Sequence, residues 1–189
     1  MSAGPLLALR SVACVRGGRL LFDGLDLELT MGEAALVTGV NGAGKSSLLR
    51  IAAGLLPPAR GEVVRNSALA LADEKLALDP KLTLGRALRF WARIDRVDAS
   101  HGIAAMGLSR LLEVPVRMLS TGQRKRAVLA RAIAAGAQLW LLDEPANGLD
   151  EEGLERLAAA IAAHRAGGGA IVAASHQPIG LDGARRVAL

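Results

Sequence analysis

An α/β fold with an added antiparallel β layer and a small helical insert is predicted for this 189-residue chain by three features of its order. The segment Gly39-Val40-Asn41-Gly42-Ala43-Gly44-Lys45-Ser46 sits between the apolar run Ala34–Thr38 and the helical pattern Ser46–Gly54. That strand–loop–helix order lets backbone N–H groups wrap a nucleotide's phosphates. Two later strand-like runs, Gln138–Leu142 and Ala170–Ala174, are almost wholly apolar and are separated by a helix-length segment, as a buried core sheet requires. Near the start, Leu25, Leu27 and Leu29 alternate with Asp26 and Glu28, the pattern of a half-buried strand.

The elements follow in order. Leu6–Ala13 and Leu20–Leu29 read as strands around the turn Arg16-Gly17-Gly18-Arg19, a hairpin-like layer. Ala34–Thr38 is the strand before the glycine loop, and the helix after it closes at Gly54. Pro57-Pro58-Ala59-Arg60-Gly61 turns the chain, and Glu62–Arg65 and Ala68–Ala72 are short strands. The polar break Asp73-Glu74-Lys75 then opens the insert. Within it, Leu84–Val97 sets Leu84, Leu88, Trp91 and Ile94 on one helical face, with Arg86, Arg89, Arg93 and Arg96 along another. Such a basic stripe serves as a solvated face, or meets acidic lipid or an acidic loop. A second helix is expected near Gly102–Leu112, ending before Pro115. A helix from Ser120 to Gly136, the strand Gln138–Leu142, a helix Glu151–Arg165, the turn Gly167–Gly169 and the strand Ala170–Ala174 complete the chain. The expected organisation is one domain over 1–189, with a core of about 1–73 and 137–189 and a helical insert of about 74–136.

Composition narrows the function. No uncharged apolar stretch reaches the roughly 18–20 residues of a membrane helix: Ala132–Leu142 is too short, and Ala166–Leu181 is broken by Gly, His and Pro. Met1–Leu9 lacks a basic segment ahead of an apolar core, and the single Cys14 has no internal disulfide partner, which together point to the cytosol. The formal charge of +5 comes from arginine, since only four lysines are present. It fits either an arginine-rich composition or a basic surface that meets phospholipid head groups or nucleic acid. The absence of tyrosine and the scarcity of other aromatics argue against a base-stacking platform for single strands.

The chemistry gathers at a few positions. Lys45 is placed to reach the β- and γ-phosphates of ATP or GTP and the Ser46 hydroxyl to ligate Mg²⁺, at a helix N-terminus where partial positive charge collects. Ser47 follows as a first-turn helix residue. Leu139-Trp140-Leu141-Leu142-Asp143-Glu144 is a buried strand ending in two carboxylates at the edge where ligands of open α/β sheets bind. Asp143 suits the Mg²⁺ shell and Glu144 suits polarising an attacking water. Ser120 and the N–H groups of Thr121 and Gly122 head the helix that runs to Gly136, an anion site without a lysine.

Leu119-Ser120-Thr121-Gly122-Gln123, about twenty residues before Asp143-Glu144, resembles the signature sequence of ATP-binding cassette (ABC) proteins. Asn147-Gly148-Leu149-Asp150 is similar to that family's D-loop, and His176, after Ala170–Ala174, to its switch histidine. The resemblance spans nearly the whole chain. It implies a P-loop NTPase fold of the cassette type, with ATP and Mg²⁺ as cofactors. It implies that the Ser120–Gln123 site closes on the γ-phosphate held by the Lys45 loop of a second cassette in a homodimer. It also implies that Asp150 organises the seam and that His176 contacts the γ-phosphate and the water site.

Two positions depart from the family pattern. About twenty-nine residues before Lys45, where an aromatic stacks on adenine, stands Arg16, whose guanidinium plane can stack with less apolar area. Aligning Leu69–Leu88 puts Glu74 at the Q-loop glutamine, which touches Mg²⁺ and senses the transmembrane partner. A carboxylate there can bind Mg²⁺ but adds negative charge near the phosphates. Arg16, the run Leu88–Ala92 and Ser175-His176-Gln177-Pro178 resemble the cassettes of c-type cytochrome biogenesis, the ATPase subunits of a haem exporter. That resemblance implies a peripheral subunit on the cytoplasmic face of a bacterial inner membrane, docked on an integral subunit. There it would move haem or release a haem-loaded chaperone, with no nucleic-acid partner. The alternatives are another small exporter, or a soluble cassette acting on ribosomes or nucleic acid. The latter kind usually carries two cassettes or a long coiled-coil arm, and neither is in this chain.

Overall fold

The computed structural model describes residues 4–75 and 77–189. Residues 1–3 of the Met1–Leu9 reading and Leu76 of the Leu69–Leu88 alignment lie outside the described residues. Two sheets face each other. β1 (Leu7–Arg16), β2 (Arg19–Leu29) and β4 (Arg60–Arg65) form an antiparallel layer in the order β2-β1-β4. β3 (Ala34–Thr38), β5 (Leu69–Ala72), β6 (Leu139–Asp143), β7 (Ala170–Ala174) and β8 (Arg185–Ala188) form a parallel sheet in the order β5-β6-β7-β3-β8. The hairpin is longer than the pattern suggested, because Gly17 and Gly18 both take left-handed backbone and let Arg16 pair directly with Arg19.

Alternation across the pleat divides the core in two. On one side Ala35, Val37, Leu139, Leu141, Val172 and Ala174 pack with α1 (Lys45–Ala52) against the antiparallel layer. On the other, Trp140, Leu142, Ile171 and Ala173 pack with α4 (Thr121–Ala134) and α5 (Glu151–Ala166). α1 therefore lies inside the sandwich, and the glycine loop that leads into it sits at the edge of the sheet with residues 40–42 exposed.

The insert begins after β5. α2 (Leu84–Asp95) buries Leu84, Ala87, Leu88 and Ala92 and leaves Arg86, Arg89, Arg93 and Arg96 exposed. Ile94 does not join the buried face as its spacing suggested: it is 55% exposed, beside the exposed Phe90. The helix expected near Gly102–Leu112 is also different. α3 (Ser100–Ala105) is short and is followed by a 3₁₀ turn at Ser109–Leu111. Gly107 between them has φ +63 and leaves room for the Arg156 guanidinium, which a Cβ there would meet at 2.7 Å. β8 had no signal of its own, being four residues long with Arg185 and Arg186 at its start and lying on the sheet edge beside β3. Among the described residues no helix is long and apolar enough to cross a membrane.

Candidate nucleotide site

β3 delivers the chain to the loop at the C-terminal edge of the sheet, and α1 leaves from it. The loop is closely backed. A Cβ on Gly39, at φ +148, would lie 2.8 Å from the Leu189 carbonyl oxygen, and one on Gly44, at φ +112, would press on the Phe22 ring at 3.1 Å. Glycine is required at both by conformation and by space. No acidic residue stands in the first turn of α1, so the positive end of the helix is not neutralised. Lys45 is 8% exposed, and its Nζ donates to the carbonyls of Gly39 at 2.8 Å and Val40 at 3.2 Å. Val40, Asn41 and Gly42 form the exposed rim of the loop, and Ala43, Ser46 and Ser47 are half-buried where it enters α1.

Asp143 ends β6 and is buried, 5% exposed. Burial pushes its pKa up, and the neighbouring carboxylates Glu74 and Glu144 push the same way. The Ser46 hydroxyl beside it, and Arg50, pull it down. A buried carboxylate next to a hydroxyl oxygen is the donor set of a hard divalent cation that takes its other ligands from phosphate and water. Consistent with so sparse a set, no group of three or more His, Cys, Asp or Glu side chains is placed to hold a metal among the described residues. Glu74 is exposed, just beyond β5, within electrostatic reach of Asp143.

Glu144 follows with φ +43, its N–H donating to the Ala174 carbonyl at 2.8 Å. The turn directs its carboxylate to the end of β7. There Oε2 accepts from the His176 backbone N–H at 3.4 Å, and Oε1 lies 3.5 Å from His176 Nε2. Ser175, buried, fixes the turn carrying His176: its Oγ donates to the Gln177 carbonyl at 2.7 Å and accepts from the Gln177 N–H at 3.2 Å.

Other predicted residues form a second centre. Ser120 caps α4 in a reciprocal box: its Oγ accepts from the Gln123 N–H at 3.2 Å, and Gln123 Oε1 accepts from the Ser120 N–H at 2.9 Å. Gly122 lies so close to Gly148 that a Cβ would sit 2.9 Å from the Gly148 oxygen, and a Cβ on Gly148 would meet Thr121 Cγ2 at 3.2 Å. Asp150 caps α5, accepting from the Gly153 N–H at 2.9 Å. No hydrogen bond joins Ser120–Gln123 to the Gly39–Ser46 loop among the described residues. Arg16 is exposed at the hairpin tip, near the exposed Val15 and Leu20. The structure thus gathers Lys45, Ser46, Asp143, Glu144 and His176, and separately Ser120–Gln123 with Asp150.

Lys125 was not anticipated. It sits in the basic run Arg124-Lys125-Arg126, and its Nζ donates to the Asp143 carbonyl at 3.3 Å. Burial lowers its pKa, while the carboxylates of Asp143, Glu74, Glu144 and Asp73 oppose that shift.

Residues 22–147 match the family described as ABC transporter. The chain belongs to the ABC transporter family. It is an ATP-binding cassette of the ABC-type ATPases. Among curated relatives, this cassette is 59% identical over 174 residues to the cytochrome c biogenesis ATP-binding export protein CcmA of Sphingopyxis alaskensis, covering 90% of each chain. It is 57% identical to the protein of the same name from Novosphingobium aromaticivorans, covering 97% of this chain and 95% of that one. A solved ATP-binding subunit of an ABC transporter shares the cassette fold with a TM-score of 0.81 at 24% identity, over 90% of this chain and 79% of the other.

Proposed function

We propose that this cassette is the ATP-hydrolysing subunit of the exporter that serves c-type cytochrome biogenesis, where its ATP cycle supports haem handling. The observation that carries the hydrolytic role is the joining of Glu144 and His176 at the ends of adjacent strands β6 and β7, on the sheet edge that also carries the Lys45 loop. The names of its relatives support the cytochrome assignment.

In this reading the backbone amides of residues 39–46 and the Lys45 ammonium hold the β- and γ-phosphates. Ser46 and Asp143 would hold Mg²⁺, with Glu74 at its outer side, and the ion would neutralise charge developing on the transferred phosphoryl group. Glu144 orients and polarises the attacking water, and His176 steadies that carboxylate while facing the γ-phosphate. Arg16 offers its guanidinium plane to the base. Residues 1–189 act as one cassette, whose insert of about 74–136 carries the signature.

Ser120, Thr121 and Gly122 present an open, cationic helix start away from the chain's own loop, which suits them to cover the ATP of a second copy, with Asp150 near the seam. For the integral membrane subunit, a cavity of about 400 Å³ lies beside Asp73, lined by Leu55, Leu69, Leu71, Leu78 and Val128. The exposed Arg86, Arg89 and Arg93, interleaved with Phe90 and Ile94, suit the acidic cytoplasmic face of the inner membrane.

Co-expression with candidate integral subunits, followed by detergent extraction and pull-down, tests the reading. Co-purification with ATPase activity, together with loss of mature c-type cytochromes on deletion, is expected. Cytosolic ribosome association that dissolves with salt, with cytochrome maturation intact, would contradict it.

A further inference from the structure

Three basic side chains follow one another after the first turn of α4, and the helix sends them different ways. Arg124 is exposed and donates to the Arg117 carbonyl at 2.8 Å. Arg126 turns inward, its Nε buried without a partner. Lys125 points at the end of β6, where its Nζ meets the Asp143 carbonyl oxygen. That carbonyl belongs to the peptide joining Asp143 to Glu144, and Glu144 is held at φ +43, where a residue with a Cβ is strained. The hydrogen bond therefore holds the carbonyl side of the peptide plane from which the Glu144 side chain is aimed, while the Ala174 carbonyl holds its N–H side at 2.8 Å. The carboxylates of Asp143, Glu74, Glu144 and Asp73 lie within electrostatic reach of the same ammonium. The Lys45 ammonium is bonded to its own loop's carbonyls. Lys125 is the cation that reaches the carboxylate turn from the signature helix.

We propose that Lys125 is a positioning residue of the hydrolysis site: its fixed charge balances Glu74 and sets how strongly the Asp143 centre takes a divalent cation, and its hydrogen bond aims Glu144. The inference rests on reading Lys45, Ser46 and Asp143 as the MgATP site. It explains how a carboxylate can stand at position 74 without overloading the site with negative charge. Because Lys125 lies one turn inside the helix that Ser120 caps, it also ties the signature to the catalytic turn of its own chain.

The test is equilibrium binding of a fluorescent ATP analogue to the full-length chain during a Mg²⁺ titration, for wild type, Lys125→Met, Lys125→Arg, Glu74→Gln and the Lys125→Met/Glu74→Gln pair. Removing the positive charge should lower the Mg²⁺ concentration for half-maximal Mg²⁺-dependent binding by about tenfold and weaken Mg²⁺-free binding, since charges several ångströms apart in a part-buried site remain poorly screened. Glu74→Gln should move the Mg²⁺ midpoint the other way, the double variant should return near wild type, and Lys125→Arg should keep the wild-type midpoint. In turnover, Lys125→Met should lose kcat with little change in KM. Lys125→Gln replaces the methionine variant where the latter does not fold. A folded, nucleotide-binding Lys125→Met or Lys125→Gln protein with an unchanged Mg²⁺ midpoint would overturn the proposal. A wild-type chain that binds no nucleotide at any Mg²⁺ concentration would defeat the underlying site reading instead.

Discussion

Glu144 and His176 meet twice, through the His176 backbone N–H to Oε2 at 3.4 Å and through the imidazole Nε2 at 3.5 Å from Oε1. The side chain of Glu144 is 15% exposed and that of His176 53% exposed, so a sheltered carboxylate meets a half-exposed ring. Replacing Glu144 by Gln keeps the shape and the acceptor for the backbone N–H but removes the base. ATP turnover should fall by roughly 10²- to 10⁴-fold while nucleotide affinity is kept. Steady-state ATPase assays beside equilibrium binding check this, and normal turnover would remove Glu144 from the role.

Asp143 holds its charge at a cost to the fold, because burial and two neighbouring carboxylates raise its pKa. The sign follows from linkage. Below the ordinary carboxylate range the group is neutral in both states and the penalty is absent; it appears as pH rises through that range, where the unfolded chain ionises first. Without Mg²⁺ or nucleotide, Asp143→Asn should therefore match the wild-type Tm near pH 3 and exceed it at pH 7, while losing Mg²⁺-dependent nucleotide binding. Thermal melts across that interval decide it.

His164 stacks on Trp140 with ring centroids 3.8 Å apart and planes 9° from parallel, and its Nε2 is buried without a partner. Burial lowers its pKa from 6.5, and the nearby backbone of Ala170 and Gln138 opposes that shift. A histidine with a lowered pKa is neutral in both states above its unfolded value and carries no penalty there; a penalty appears as pH falls below about 6.5, where the unfolded chain binds the proton first. The drop in Tm between pH 7.5 and 5.5 should be smaller in His164→Gln than in wild type. Equal drops would assign the acid sensitivity elsewhere.

Gly102 lets α3 lie on α4: a Cβ there would overlap the Ala130 carbonyl oxygen and crowd Ala134 Cβ at 3.1 Å. The obstacle is helix backbone, which cannot swing aside as a side chain tip can. Gly102→Ala should cost about 1–3 kcal/mol, as overpacking of a tight core does. Denaturant unfolding with an unchanged m-value would show the loss as one of stability.

The loop and the carboxylate strand were legible because their chemistry is local: glycines, Lys45 and Ser46 are contiguous, and Asp143-Glu144 ends an apolar run. The pairing of Glu144 with His176 bridges 32 positions and exists only because β6 and β7 lie side by side. Lys125 stayed hidden because nothing in Arg124-Lys125-Arg126 tells which side chain turns inward; helix rotation decides it. The long helix expected after Gly102 failed at Gly107, whose left-handed backbone answers to Arg156 packing from a distant helix. Ile94 followed the helical period yet faces outward, since α2 packs on the narrower face of Leu84, Ala87, Leu88 and Ala92.

In the proposed assembly each ATP is held by the Lys45 loop of one chain and covered by Ser120–Gly122 of another. Mixing two disabled chains tests it most directly, both on a Glu144→Gln background that traps nucleotide: Lys45→Ala, which lacks the loop cation, and Ser120→Arg, which blocks the signature. Neither alone should occlude labelled ATP. The mixture should form one intact composite site per heterodimer and trap about one ATP in it. Occlusion by Ser120→Arg alone, or a mixture as inert as its parents, would contradict a site shared between chains.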